Sequence, residues 1–357
     1  MAYTNINDPS AYFQTALYTG NSGTLAVTND GNSDLQPDWV WTKKRSDTSH
    51  HALVDSSRGA TKQIYTNLTA AEETVSGVTA FNTDGFTLGS NGTANLNGAT
   101  FVGWQWKANG GTTSSNTDGS VTSTVQVNQD AGFSIVTFDS ASSGNFSVGH
   151  GLGVQPAMII TKNREGTGQW YTWHKDLTGG TSNTSYLLSL NRTDAEESYA
   201  NAWGAGVTSS VFGMQSGNTA TASNDYVAYC FNNVQGYSKF GKYVGNGASD
   251  ASPNTNGPFI YTGFSPAFVI IKKTSAVDDW LIFDNKRAGY DPAVYRLYPN
   301  SSSAETSGTN NTIQFTSNGF KIRFHGGSMN TSGGTYIYMA FAENPFVTST
   351  GIPTTAR

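Results

Sequence analysis

The sequence predicts an all-β protein made of three tandem, related β-sandwich domains of jelly-roll type. Three observations carry that expectation. One composite block recurs three times in the same order. Its apolar runs are short and rich in β-branched and aromatic residues. Gly, Ser, Thr and Asn crowd the stretches between those runs, as turns require.

The elements follow in chain order. LQPDWVWTKKR (35–45), VQPAMIITKNR (154–164) and FSPAFVIIKKT (264–274) align without gaps, with Pro37, Pro156 and Pro266 in one column. DWVWT, AMIIT and AFVII are apolar on both faces, the mark of a fully buried strand. The alignment runs on through HALVDSSRG, YTWHKDLTGG and LIFDNKRAG. A third block then repeats Asn67, Ala71 and Glu72 as Asn191, Ala195 and Glu196, and as Asn300, Ala304 and Glu305. Its TAAEE and TDAEE segments are expected to form one helical turn behind an Asn or Thr cap. TDGF, SNGF and GNG mark turns. Each copy closes on a second buried strand, within 99–108, 224–233 and 334–343. The division is therefore a first repeat within 1–109, a Gly/Ser/Thr-rich linker at 110–131 with strand potential in its second half, repeats at 132–239 and 240–346, and a polar tail at 347–357. Each unit is long enough to bury a core of its own.

Composition narrows the function. Only 13% of the 357 residues are charged, against 12% aromatic, which favours a folded chain over a disordered one. No apolar run approaches a membrane span, so no membrane insertion is expected. The first residues have neither a cationic nor an apolar region, so no secretory leader is expected. Cys230 is the one cysteine, which leaves no internal disulfide and fits a buried small hydrophobe. A net charge of −5 without basic blocks argues against nucleic acid as a partner. Zincin, Walker, nucleophile-elbow and dinucleotide motifs are absent, and GHGLG (149–153) reads as a turn. The histidines, His50, His51, His150, His174 and His325, lack helical zinc spacing. No cofactor, no metal and no enzymatic activity are expected.

The columns assign roles. Trp39 gives way to Met158 and Phe268, and Trp41 to Ile160 and Ile270. Any large apolar group serves there, which is what packing asks. Trp104 and Trp106 vary in the same way. Trp170 and Trp280 share a column with His51 and, with Trp203 in NAWGAG, are the candidates for surface contact. Lys43, Lys162 and Lys272 form one charged column; Glu72, Glu196 and Glu305 form another. A structural Lys–Glu ion pair inside each copy is the expectation. Carboxylate neighbours such as Asp278–Asp279 read as solvated faces or caps.

YTGNS, QPDWVWTKKR, TDGFTLGS, FVGWQWKANGG and YVAYCFNNVQGYSKFGKYVGNG resemble repeats in virion proteins of tailed bacteriophages, notably marine and cyanobacterial ones. The resemblance spans most of 10–346 and carries no catalytic residues. It implies a structural protein on the virion surface, assembled in the host cytoplasm and displayed as a tail fibre, spike or head appendage. It also implies a homo-oligomer, with a trimer favoured, and contacts with other virion proteins or a host surface glycan. The first repeat would attach to the particle and the third would lie distal. A head decoration or vertex protein is the alternative within that class. Outside it stand a tail-spike polysaccharide depolymerase, with Asp278–Asp279 beside Trp280, and a glycan-binding module using the three candidate tryptophans.

Overall fold

The computed structural model describes residues 3–248, 256–288, 293–308, 311–323 and 327–354. All of its sheet pairings are antiparallel. The first repeat forms β1 (Phe13–Thr19), β2 (Leu25–Val27), β3 (Trp39–Lys44), β4 (Ala52–Asp55), β5 (Lys62–Tyr65), β6 (Glu73–Thr74), β7 (Val78–Phe81), β8 (Phe86–Leu88) and β9 (Thr100–Trp106). These make a larger sheet, β1-β9-β3-β4-β5-β6, and a smaller one, β2-β8-β7. The linker adds β10 (Ser114–Asn116) and β11 (Ser123–Asn128), so its second half is a strand.

The second repeat supplies β12 (Phe133–Asp139), β13 (Asn145–Gly149), β14 (Met158–Asn163), β15 (Tyr171–His174), β16 (Tyr186–Ser189), β17 (Glu197–Ser198), β18 (Val211–Gln215) and β19 (Asp225–Phe231). Its larger sheet, with both linker strands on its edge, runs β10-β11-β12-β19-β14-β15-β16-β17, and β13 pairs with β18. The third repeat holds β20 (Ser238–Val244), β21 (Phe259–Tyr261), β22 (Phe264–Lys273), β23 (Trp280–Asp284), β24 (Ile313–Thr316), β25 (Gly319–Ile322) and β26 (Thr335–Pro345). They form sheets β20-β26-β22-β23 and β21-β25-β24. In the first repeat the opening strand pairs with the last and β2 with β8, the nesting of a jelly roll, while β3 to β6 run as a meander.

The apolar strands face two cores. On one side each larger sheet packs against its own smaller sheet. Val40, Val54, Phe86 and Leu88 meet there in the first repeat, Ile159, Trp173, Phe212 and Cys230 in the second, and Val269, Leu281, Phe320 and Tyr338 in the third. On the other side all three larger sheets share one cluster. It joins Trp39, Trp41, Trp104 and Trp106 to Met158, Ile160, Tyr229 and Phe231, and to Phe268, Ile270, Met339 and Phe341. Trp39 lies 4.8 Å from the Tyr229 ring and 4.4 Å from Trp106; Trp106 meets Phe268 edge-on at 5.4 Å. Phe231 and Phe341 close the set at 6.1 Å. A strand needed by two cores has no face left for polar residues, which is why DWVWT, AMIIT and AFVII read as apolar throughout.

The repeats are thus not strung out in a line; each contacts both of the others. They close around a pseudo-threefold axis. The same backbone hydrogen bond recurs at each seam: Glu72 N to Arg164 O, Glu196 N to Thr274 O and Glu305 N to Arg45 O. That bond also explains a departure from the sequence reading. The TAAEE and TDAEE segments form no helical turn; they stay extended and lead into the short β6 and β17, because their amides are used across the seam. The segments before the first repeat and after the third meet as well, with Asn7 and Ser349 exchanging two hydrogen bonds.

Sharing a core couples the repeats. Alone, residues 132–239 would expose the central face of Phe133, Ile135, Met158, Ile160, Tyr229 and Phe231, each buried in the whole chain. At about 1.5–3 kcal/mol per large apolar side chain, that loss exceeds the margin of a domain this size. Calorimetry of the full chain should show one cooperative transition, and the excised 132–239 segment should show none. Three resolved transitions would mean the repeats fold independently.

Candidate functional site

The chemistry-bearing columns of the repeat converge on the three seams. Each repeated asparagine fixes a hairpin end: Asn67, Asn191 and Asn300 accept through Oδ1 from the backbone N–H of His51, Trp170 and Trp280, at 2.9–3.0 Å. This accounts for the asparagine column without a ligand. The chain just beyond each asparagine then lies against the next repeat, and Gly168 N and Asp278 N donate to Thr69 O and Thr193 O.

The lysines are buried in these seams. Lys162 Nζ donates to Thr69 O of the first repeat at 2.9 Å and to Gly168 O at 3.2 Å. Lys272 Nζ donates to Thr193 O of the second repeat at 3.0 Å and to Asp278 O at 2.8 Å. Lys43 Nζ donates to Lys44 O at 2.7 Å. Loss of solvent lowers all three ammonium groups to about 8.

The expected Lys–Glu pairs do not form: among the described residues, no ion pair joins Lys43 to Glu72, Lys162 to Glu196 or Lys272 to Glu305. The lysines have carbonyls for partners, and the glutamates have arginines. Glu72 takes Arg58 of its own repeat at 2.7 Å and Arg164 of the second at 3.1 Å. Burial works to raise the Glu72 carboxyl, and the hydrogen bonds and charges of Arg164 and Arg58 outweigh it, leaving its pKa below the usual value. Glu305 takes Arg287 of its own repeat at 2.9 Å and Arg45 of the first at 2.8 Å.

At the remaining seam both arginines are missing, because their columns hold Leu177 and Thr274. Glu196 turns instead to the Thr178 amide at 3.0 Å and its hydroxyl at 2.5 Å. The sequence carried a signal for this. The two arginine columns each lose their arginine once, and both losses fall on the same glutamate.

The three tryptophans proposed as surface contacts are buried, with Trp170 and Trp203 at 0% exposure and Trp280 at 1%. Trp170 Nε1 donates across a seam to Tyr65 O and Leu68 O, and Trp280 Nε1 to Ser189 O. Trp203 lies in the second repeat's own core with its Nε1 on Tyr186 O, and Gly213 lets its backbone close in: a Cβ there would lie 2.1 Å from the Trp203 carbonyl oxygen. An indole spent this way offers no face to a sugar ring. Beside Trp280, Asp279 accepts from Asn300 Nδ2 at 2.7 Å and Asp278 accepts from the Asp279 amide at 3.0 Å. The pair is engaged in shaping the hairpin end.

One seam carries an additional lock. Asp38, whose column otherwise holds Ala157 and Ala267, accepts from Ser56 Oγ and from the amides of Ala108, Gly110 and Gly111 at 2.6–2.9 Å. Burial raises its pKa despite these donors. The carboxylate pins the start of the linker to the first repeat. Of the histidines, His50 Nδ1 meets Asn67 Nδ2 at 2.9 Å, while His51, His150 and His174 are buried, with burial holding His150 at about 4 and His174 at about 3. His325 lies outside the described residues. Among the described residues no group of three or more His, Cys, Asp or Glu is placed to hold a metal ion.

The chain belongs to the family described as a domain of unknown function, DUF7483, whose model matches residues 8–345. The match runs through all three repeats, so one family domain corresponds to the whole closed body. A comparison with curated proteins gives no match.

Two outcomes follow for the seams. Glu305→Ala removes the carboxylate that Arg45 and Arg287 share, leaving Arg287 paired only with Asp284, and should cost about 2–3 kcal/mol as charged hydrogen bonds are lost. Glu196→Ala removes only hydrogen bonds to Thr178 and should cost about 1 kcal/mol. Urea denaturation of both variants reads the difference, and equal costs would contradict the assignment. The lysines set a pH dependence. Their folded values near 8 lie below the ordinary 10.5, so between those limits the unfolded chain binds more protons and stability rises with pH. The melting temperature should therefore increase from pH 8 to 9.5, and Lys162→Met should flatten the rise. A fall over that window would be the contrary result.

Proposed function

We propose that this chain is a structural protein of a tailed-phage particle surface, a fibre, spike or head appendage that contacts the host surface or neighbouring virion proteins. The observation that carries the reading is where the repeated residues are spent. The very strings that resemble phage virion repeats supply the central rings, the seam asparagines, lysines and glutamates, and the buried strands. Their common task is to hold three units together as one body.

Such a body suits an exposed part of a particle. Its cohesion comes from a shared apolar core and from ion pairs little open to solvent, with Arg58 and Arg287 at 0% side-chain exposure, so changing salt outside has little to screen. Closure about a pseudo-threefold axis supplies within one chain the three-part form that trimeric appendages reach by association. Further association of such bodies into a homotrimer is part of the proposal, and sedimentation of the purified chain reads it.

Immunogold electron microscopy of the phage particles tests the reading. Label on the tail or its fibres is the expected result and makes host adhesion the working role. Label over the head makes the chain a decoration or vertex protein of the same class. Intact particles without label overturn surface display.

A further inference from the structure

The first strand of each repeat, β1, β12 or β20, faces a seam along the side away from the repeat's last strand, and the three sides are treated differently: β1 and β20 are sheet edges, while β12 is covered by β11. At the first–second seam the linker strand β11 pairs along β12, setting Gln126 opposite Ile135. The Gln126 amide reaches across to Ser56 Oγ and Ser57 Oγ of the first repeat at 2.9 and 2.8 Å, and its Oε1 accepts from Gly111 N at 2.8 Å. At the second–third seam the equivalent of Ile135 is Phe240, and its outward amide donates to Asn233 Oδ1 at 2.7 Å. In both places a side-chain carboxamide fills the seam beside the repeat's first strand.

At the third–first seam the equivalent residue is Thr15, and among the described residues no linker strand pairs along this edge; the carboxamides there, Gln14, Asn32, Asn285 and Asn344, line an open space. A cavity of about 310 Å³ lies there, between Phe13 and Thr15 on one side and Ala267, Asn285, Lys286 and Asn344 on the other. By register those four correspond to Asp38, Ser56, Ser57 and Asn109, the residues that surround Gln126 at the filled seam. The cavity is the slot that β11 occupies one seam away.

Two further features point to an occupant. Thr15 Oγ1 is buried in the lining without a hydrogen-bond partner. The bonds from Lys107 N to Tyr12 O and from Gly20 N to Ala99 O fix the phase of β1, so the peptide groups of Phe13, Thr15 and Leu17 turn away from β9 toward this edge. Among the described residues no strand pairs with them. An open edge with a ready slot beside it is the arrangement that strand addition uses.

We infer that this cleft accepts an extended, uncharged segment of a partner protein as an added antiparallel strand on β1, with a Gln or Asn side chain opposite Thr15. The two filled seams define that chemistry. The charged groups of the lining are already engaged: Asp30 and Lys286 pair at 2.9 Å, and Glu343 accepts from Asn285 Nδ2 at 2.9 Å. The inference stands on the geometry alone and does not require the particle-surface reading.

The probe is a fluorescein-labelled peptide with the sequence of residues 121–129, VTSTVQVNQ, titrated against the full chain by fluorescence anisotropy. Saturable one-to-one binding is expected, with slowed amide exchange at Phe13, Thr15 and Leu17. A peptide with leucine in place of the glutamine that corresponds to Gln126 should bind roughly ten-fold more weakly, as loss of a buried polar contact implies. Thr15→Pro removes an outward amide while leaving the β1–β9 bonds intact, and should abolish binding. Should that variant not fold, Lys286→Trp at the partly exposed mouth closes the slot and should do the same. No saturable binding, or binding that leaves exchange in β1 unchanged, would overturn the inference.

Discussion

Three sheets share one aromatic core, and most other features of the chain answer to that constraint. Six aromatic side chains, Trp39, Trp106, Tyr229, Phe231, Phe268 and Phe341, come from five strands in three repeats and meet within ring-contact distance. At about 2 kcal/mol or more each on burial, they outweigh any single polar contact at the seams. Because the larger sheets turn one face to this core and the other to their own sandwich, their central strands are apolar on both sides. The polar residues of the repeat are displaced to strand ends and hairpins, and those are the places where neighbouring repeats meet.

The seams then solve one problem in three ways. Bringing the repeats together removes water from backbone carbonyls and from charged strand ends, and each must find a partner. A buried ammonium does this for carbonyl pairs at two seams. For the glutamates, two seams use a pair of arginines and the third uses a threonine. The ammonium groups lose hydration in the process, which is the origin of their lowered pKa values. Covalent linkage permits this inequality: in an assembly of identical chains every seam would have to be the same.

Much of this was legible in the sequence. The gapless recurrence around Pro37, Pro156 and Pro266 marked the repeat, and substitution of Trp39 by Met158 and Phe268 marked packing over recognition. The linker's strand potential was visible in its alternating second half. The partners across the seams were harder to see. A glutamate and a lysine kept in register invite pairing, yet Glu72 binds Arg164, a residue 92 positions away in the next repeat. Nothing in local pattern distinguishes a neighbour in space from a neighbour in the alignment. The tryptophans misled for a related reason. Trp170 and Trp280 find the partners of their Nε1 groups across a seam, in a repeat the local sequence does not include. Trp203 lies in a polar, glycine-rich stretch whose composition suggests a surface loop, while Gly213 provides the close approach that folds it inward.

The meeting of Asn7 with Ser349 has a consequence for how the body is oriented. Since Asn7 and Ser349 lie together and the repeats circle one core, order along the chain and order in space are separate matters. The matching backbone bond at each of the three seams places the repeats in equivalent positions around the shared core. Whatever polarity the body has lies along its axis, and a circular permutant opened at a different junction would keep it.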